Sequence, residues 1–168
     1  GLPGGDPGLE DRFENRIAPL LRRYLYSATL SDSRSGVPDM LFAGVPRWQG
    51  LLGRAAWPVL RRVMIAGMAA RPEFTAGLEV ELEEELRWFD DRIGGADHLV
   101  GGAFGRADIT AASLLSPLAR PPDLPIYGRL RPPSAVAAAL ERWRDRPSLQ
   151  WVLRTYATHR RVNGCPPA

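Results

Sequence analysis

Apolar residues recur at helical spacing in six stretches of this chain, and no run of β-branched residues alternates as a strand requires. The first stretch, 9–30, carries Phe13, Ile17, Leu20, Leu21, Tyr24, Leu25 and Ala28 on one stripe. Arg12, Glu14, Arg16, Arg22, Arg23 and Tyr26 take the other sides. Asp6 followed by Pro7 predicts a capped helix start. Pro19 lies inside the pattern; a proline there removes a hydrogen bond and costs about 3 kcal/mol, which predicts a bend or two shorter helices.

The pattern breaks up over 31–57. SDSRSG reads as a loop, and AGVPRWQGLLG carries Gly and Pro at short intervals. Phe42 and Trp48 predict that this long insert packs onto something, since long loops in compact domains often have a function. Pro58 is placed to open a second helix, with Val59, Leu60, Val63, Met64, Gly67 and Met68 as its apolar stripe and an end near Arg71. The third, 74–93, has the clearest period: Leu78, Leu82, Leu86, Phe89 and Ile93 form a seam, and Gly94 stops it. Its acids, Glu79, Glu81, Glu83, Glu84, Glu85, Asp90 and Asp91, fall largely off the seam; Glu81, Glu84 and Glu85 read as a wet face, and Asp90 and Asp91 oppose the dipole at the helix end. Two further helices start near Pro133 and at Pro147, carrying Val136, Leu140 and Trp143, then Trp151, Val152, Thr155 and Tyr156.

The remaining segment, 106–118, is nearly free of charge after its first turn. Gly105 is placed as its cap residue, and Asp108 falls where a carboxylate turns back to the N–H of the cap. Phe104 and Ile109 are spaced to touch across that turn as a hydrophobic staple. Thr110, Ala111, Ala112, Ser113, Leu114, Leu115 and Ser116 follow, small or apolar on every side. The expectation is an all-α bundle of about six helices around this central buried one.

Composition adds limits. The 168 residues suffice for one domain and are 45% hydrophobic, enough for a substantial core. All 22 basic residues are arginine, and with the abundant Ala, Gly and Pro this points to a GC-rich genome rather than to nucleic acid, in spite of a net charge of +3. Over 73–97 nine acids stand against Arg87 and Arg92; over 120–168 nine arginines stand against Asp123, Glu141 and Asp145. These segments are expected to face each other or water. Cys165 is the one cysteine, so no internal disulfide forms, which fits a reducing cytoplasm. The longest apolar run, 63–70, is too short to span a bilayer, and no signal peptide is visible, so no membrane partner is expected. His98 and His159 lack a second His or Cys nearby in sequence and predict no metal. GLPGGDPG (1–8) reads as a linker or cleavage scar and 162–168 as a loose tail, leaving a helical domain over 9–161.

The run LVGGAFGRADITAASLLSPL resembles the core signature of the C-terminal helical domain of glutathione S-transferases. That family commonly reads Leu-Val-Gly, a short turn, Phe-Ser-x-Ala-Asp, then a buried helix rich in Ala, Ser and Leu. Leu99, Val100, Gly101, Phe104, Ala107 and Asp108 match it. LEDRFENRIAPLLRRYLY resembles the long first helix of that domain, and the proline-rich turn after the buried helix and the closing WVLRTYATHR look like a bacterial branch of the family. One departure is Gly105, where the family usually has Ser or Thr.

The resemblance implies a two-part transferase. A thioredoxin-like domain, absent from these residues, would bind the co-substrate glutathione and activate its thiol. The helical domain would line the pocket of a small hydrophobic electrophile, with Arg16, Arg23, Tyr24 and Tyr26 on the first helix as candidates. An aromatic hydroxyl there could stabilise charge developing on the electrophile. Tyr24 also falls on the apolar stripe, which reads equally as core. The helical domain alone is expected to be inactive, to bind no cofactor by itself and to expose an apolar face that favours a homodimer. A non-enzymatic protein-docking module of the same fold is the alternative.

Overall fold

The computed structural model describes residues 4–30, 37–42, 44–67, 74–129 and 131–160. The chain is all-α, and the described residues contain no strand. The helices are α1 (Pro7–Arg12), a π-helical turn (Phe13–Ile17), α2 (Ala18–Thr29), α3 (Val37–Leu41), α4 (Arg47–Gly67), α5 (Thr75–Ile93), α6 (Arg106–Ala119), α7 (Ile126–Arg129), α8 (Ser134–Trp143) and α9 (Pro147–His159). None is long and apolar enough to cross a membrane. The loop 31–36, the end of the second predicted helix with Met68 and Arg71, Cys165 and the tail 162–168 lie outside the described residues.

The first predicted helix is two α-helical pieces, α1 and α2, joined without a loop by the π-helical turn just before Pro19. Backbone angles stay right-handed through Phe13, Ile17 and Ala18, and the Ala18 N–H reaches back to the Phe13 carbonyl, five residues earlier. This one wide turn lies just before the proline, where the missing N–H and the bulky ring would otherwise disturb an α-helical ladder. The helix begins as the sequence predicts: Asp6 Oδ1 accepts from Gly8 and Leu9 N–H at 3.0 and 3.1 Å. Residues 4–8 take part in the fold, since Pro7 is already helical and the Gly4 carbonyl accepts from Ala107 N–H at 3.3 Å.

α2, α5, α6 and α9 enclose the main core. Phe89 sits at its centre, edge-on to Phe13 at 4.9 Å and to Trp151 at 5.7 Å. The α5 seam is buried as its period predicts, and Gly94 ends the helix in a left-handed conformation (φ 51°). Its acids divide. Glu81, Glu84 and Asp91 are exposed, but Glu85 is buried at 2% exposure between Arg12 (2.9 Å) and Arg16, correcting its reading as part of a wet face. The acidic and basic segments face each other: Arg142 binds Glu79 at 2.6 Å, and Arg146 binds Asp90 at 3.0 Å. Asp90 Oδ1 also accepts from Ser148 N–H at 2.8 Å. Its charge therefore lies at the positive N-terminal end of α9, which offsets its unfavourable place near the end of its own helix.

α6 starts at Gly105 as predicted. Asp108 Oδ2 accepts from Gly105 N–H at 2.8 Å, and Oδ1 accepts from Leu99 N–H at 2.9 Å. Gly105 has no side chain to cap the next N–H groups, and the Gly4 carbonyl takes that place at Ala107. A Cβ on Gly4 would stand 3.4 Å from the Gly105 Cα, so the two glycines let these strands of chain pass closely. Ala107, Asp108, Ala111, Ala112, Leu115, Ser116 and Leu118 are buried, but Arg106, Ile109 and Ser113 are exposed. α6 is therefore buried along one side and open along the other, a correction to a helix without any wet face. Phe104 is half-buried and stacks on His159 at 3.7 Å, while Ile109 is 38% exposed.

The insert departs most from its sequence reading. α4 starts eleven residues before Pro58, which lies inside the helix. No residue of α4 is buried. Phe42 lies against Gly53, where a Cβ would come within 2.3 Å of its ring, so glycine is required for that approach. Trp48 does not pack; it is 63% exposed. The predicted stripe is also turned about: Val59, Leu60 and Val63 face out, and Met64 and Ile65 pack on a small second core of Leu30 and Val37.

Candidate functional site

A cavity of about 510 Å³ lies between α2, α6 and α8. That volume is in the range of pockets that hold small molecules. Its wall on α2 is Ala18, Leu21, Arg22, Leu25, Tyr26 and Thr29, a stripe set by the helical repeat, and Glu14 stands one turn earlier. Ser113, Leu114 and Pro117 come from the open side of α6. Val136 and Leu140 on α8, Val37 on α3 and Tyr127 on α7 close the rest. The uncharged stretch of α6 thus does two things: its alanines and Leu115 pack in the core, and its other face forms a cavity wall.

The polar groups sit at defined places. Ser116 Oγ donates to the Ser113 carbonyl at 2.8 Å, leaving it to accept from Tyr127 Oη at 2.7 Å. Burial pushes the Tyr127 phenol above the ordinary tyrosine range. Arg120 holds a left-handed conformation (φ 49°) at the end of α6 and donates to the Tyr127 carbonyl. Arg22 Nε donates to the Ala18 carbonyl at 3.3 Å. No histidine or cysteine is among the described residues of this wall. Such a surface suits holding an apolar body with polar atoms near Arg22, Tyr26 and Arg120. Among the described residues of the wall, no nucleophile is paired with a base.

Of the four residues proposed from the sequence, Tyr26 alone lines this cavity. Tyr24 is core: its ring is fully buried, lies 5.9 Å from Trp143, and its hydroxyl donates to Glu79 Oε2 at 3.0 Å. Arg16 binds Glu85, and Arg16 and Arg23 border a separate surface cleft with Glu81 and Glu84. Helical phase explains the split. Once Tyr26 is placed in the cavity, its partners one turn apart are Arg22 and Thr29, which the sequence reading passed over. Tyr127 and Arg120 carried no sequence signal, because the short α7 and its approach to α6 are set by the fold.

The staple pair borders a smaller pocket of about 260 Å³ with Tyr156 and His159. Sequence spacing read His98 and His159 as isolated, but their rings lie 5.8 Å apart beside Phe104. Trp48 is not among the residues around either pocket.

Burial pushes the Tyr24 phenol well up, and its bond to Glu79 adds to this. Its proton is held more tightly folded than unfolded, so stability is level below the ordinary value of 10.0 and falls as pH rises above it. Tyr24→Phe is expected to cost about 1 kcal/mol at neutral pH and to flatten that alkaline fall. Urea unfolding at a series of pH values checks both.

No family model, no curated protein and no solved structure matches this chain.

Proposed function

We propose that the cavity between α2, α6 and α8 binds a small hydrophobic electrophile, as the electrophile-holding half of a glutathione S-transferase-like protein. The cavity carries this reading: it is of ligand size, largely apolar, and walled by the same α6 whose start bears the family-like residues. Phe104, Gly105, Asp108 and Ile109 serve the helix start rather than the chemistry. Glutathione and the activation of its thiol belong to a thioredoxin-like partner domain, so this helical domain alone conjugates nothing. Cytoplasmic location accords with the thiol chemistry. A docking module of the same fold is the second reading, favoured by the outward apolar stripe of α4.

The test is titration with anilinonaphthalene sulfonate, with chlorodinitrobenzene as a competitor. Ser113→Trp places an indole in the cavity and is expected to weaken dye binding about tenfold, the loss that ~1.4 kcal/mol produces. Val80→Trp, on the exposed side of α5, is the control. Equal binding by both variants would remove the cavity from the account. A glutathione matrix is expected not to retain the chain.

A further inference from the structure

His98 and His159 stand far apart in the sequence and border one cleft in the fold. The cleft, about 320 Å³, has Asp97 and His98 from the loop before α6 in its wall, facing Trp151, Arg154, Thr155 and His159 of α9. Trp151, Thr155 and His159 recur at helical spacing and so share one face of α9. His98 is held from both sides: the Asp97 carbonyl accepts from Trp151 Nε1 at 2.9 Å, and the Leu99 N–H donates to Asp108 Oδ1 at 2.9 Å. His159 lies flat on Phe104, with ring centres 3.7 Å apart and planes 11° from parallel.

The two imidazoles are 5.8 Å apart, centre to centre. Metal–nitrogen bonds are about 2.0–2.1 Å, and a ring centre lies roughly 1.2 Å behind its nitrogen, so two imidazoles on one tetrahedral ion have centres roughly 5.3 Å apart. A small turn of the exposed His159 side chain closes the difference.

We propose that His98 and His159 together bind one late first-row divalent ion: zinc, nickel or copper(II). Imidazole suits these ions, whereas magnesium and calcium take oxygen ligands. Among the described residues no third His, Cys, Asp or Glu completes a cluster with them. Water therefore fills the other positions, and the affinity is micromolar rather than that of a closed structural zinc site. Charge favours a cation over an anion. The cleft lies at the C-terminal end of α9, where the last carbonyls lack helical partners and carry partial negative charge. Asp97 and Arg154 bring opposite charges to the wall. Arg160 is turned to the Tyr156 ring, 6.0 Å from its centre, and borders a different pocket. An ion held here ties the loop that leads into α6 to the end of α9. This inference stands apart from the cavity reading.

The chain has two histidines, so its imidazole proton resonances report on this site alone. In a Cys165→Ser background, which removes the one thiol, titration with zinc chloride at neutral pH is expected to shift both imidazoles with a single midpoint. By calorimetry, His98→Ala and His159→Ala should each weaken zinc binding at least about tenfold, because losing either ligand breaks the chelate. Copper(II) should bind more tightly than zinc, and magnesium should not bind. Zinc at about 100 times its Kd should raise the Tm of the background chain and leave that of His98→Ala unchanged. The circular dichroism of each variant establishes that it is folded. A shift of one imidazole without the other, zinc binding that survives either substitution, or no shift at millimolar zinc overturns the proposal. So does inorganic phosphate that shifts both imidazoles while zinc leaves them in place.

Discussion

Asp108→Ala is expected to lower the stability of the chain by about 3–5 kcal/mol. The carboxylate is fully buried, and its two oxygens accept the N–H groups of Leu99 and Gly105. Hydrogen bonds to a charged group contribute about 1.5–3 kcal/mol each, and the truncation leaves two donors without an acceptor. No side chain at Gly105 can take over, and the Gly4 carbonyl is already occupied at Ala107. Asp108→Asn should lie between wild type and Ala, because an amide has a single oxygen to accept with. The urea midpoint measures this, and heating should show a loss of roughly 10 °C for a domain of this size. A change under 1 kcal/mol would mean that α6 does not depend on this carboxylate for its start.

Phe89→Ala is expected to cost a similar amount, about 3–5 kcal/mol. Its ring is fully buried and bridges the π-helical turn and α9 through edge-on contacts with Phe13 and Trp151. Removing it loses the transfer energy of the ring and leaves a cavity between elements that are tied elsewhere. Phe89→Leu retains much of the volume and should recover more than half of the loss. The two substitutions differ in kinetics if α6 forms late: Asp108→Ala would then act mainly on unfolding, which stopped-flow unfolding in urea measures.

The helices that bury one stripe were legible residue by residue. α5, α8 and α9 lie where their periods and prolines put them, because an apolar seam and a stop signal are local properties. The start of α6 was equally legible, since Asp108 and the Gly105 N–H are three residues apart. What the spacing of Pro19 left open was how the chain would accommodate it, and a single wide turn avoided a break. α4 was misplaced because Pro and Gly were read as punctuation. Contacts with Leu30, Val37 and Phe42 hold those residues in a helix in spite of their propensities.

The candidate site was less legible. Tyr26 could be chosen from its helix, but its neighbours Tyr127, Arg120 and Leu140 lie on three other segments. The sequence by itself determined the all-α class, the buried seams and the capped start of α6, all of which follow from interactions within a few residues. Tertiary structure decided which face of α6 became a cavity wall, that Glu85 would be buried between two arginines, and that α4 would turn its apolar side outward. Those outcomes depend on which surfaces meet, and a helical repeat fixes the faces of a helix without fixing its neighbours.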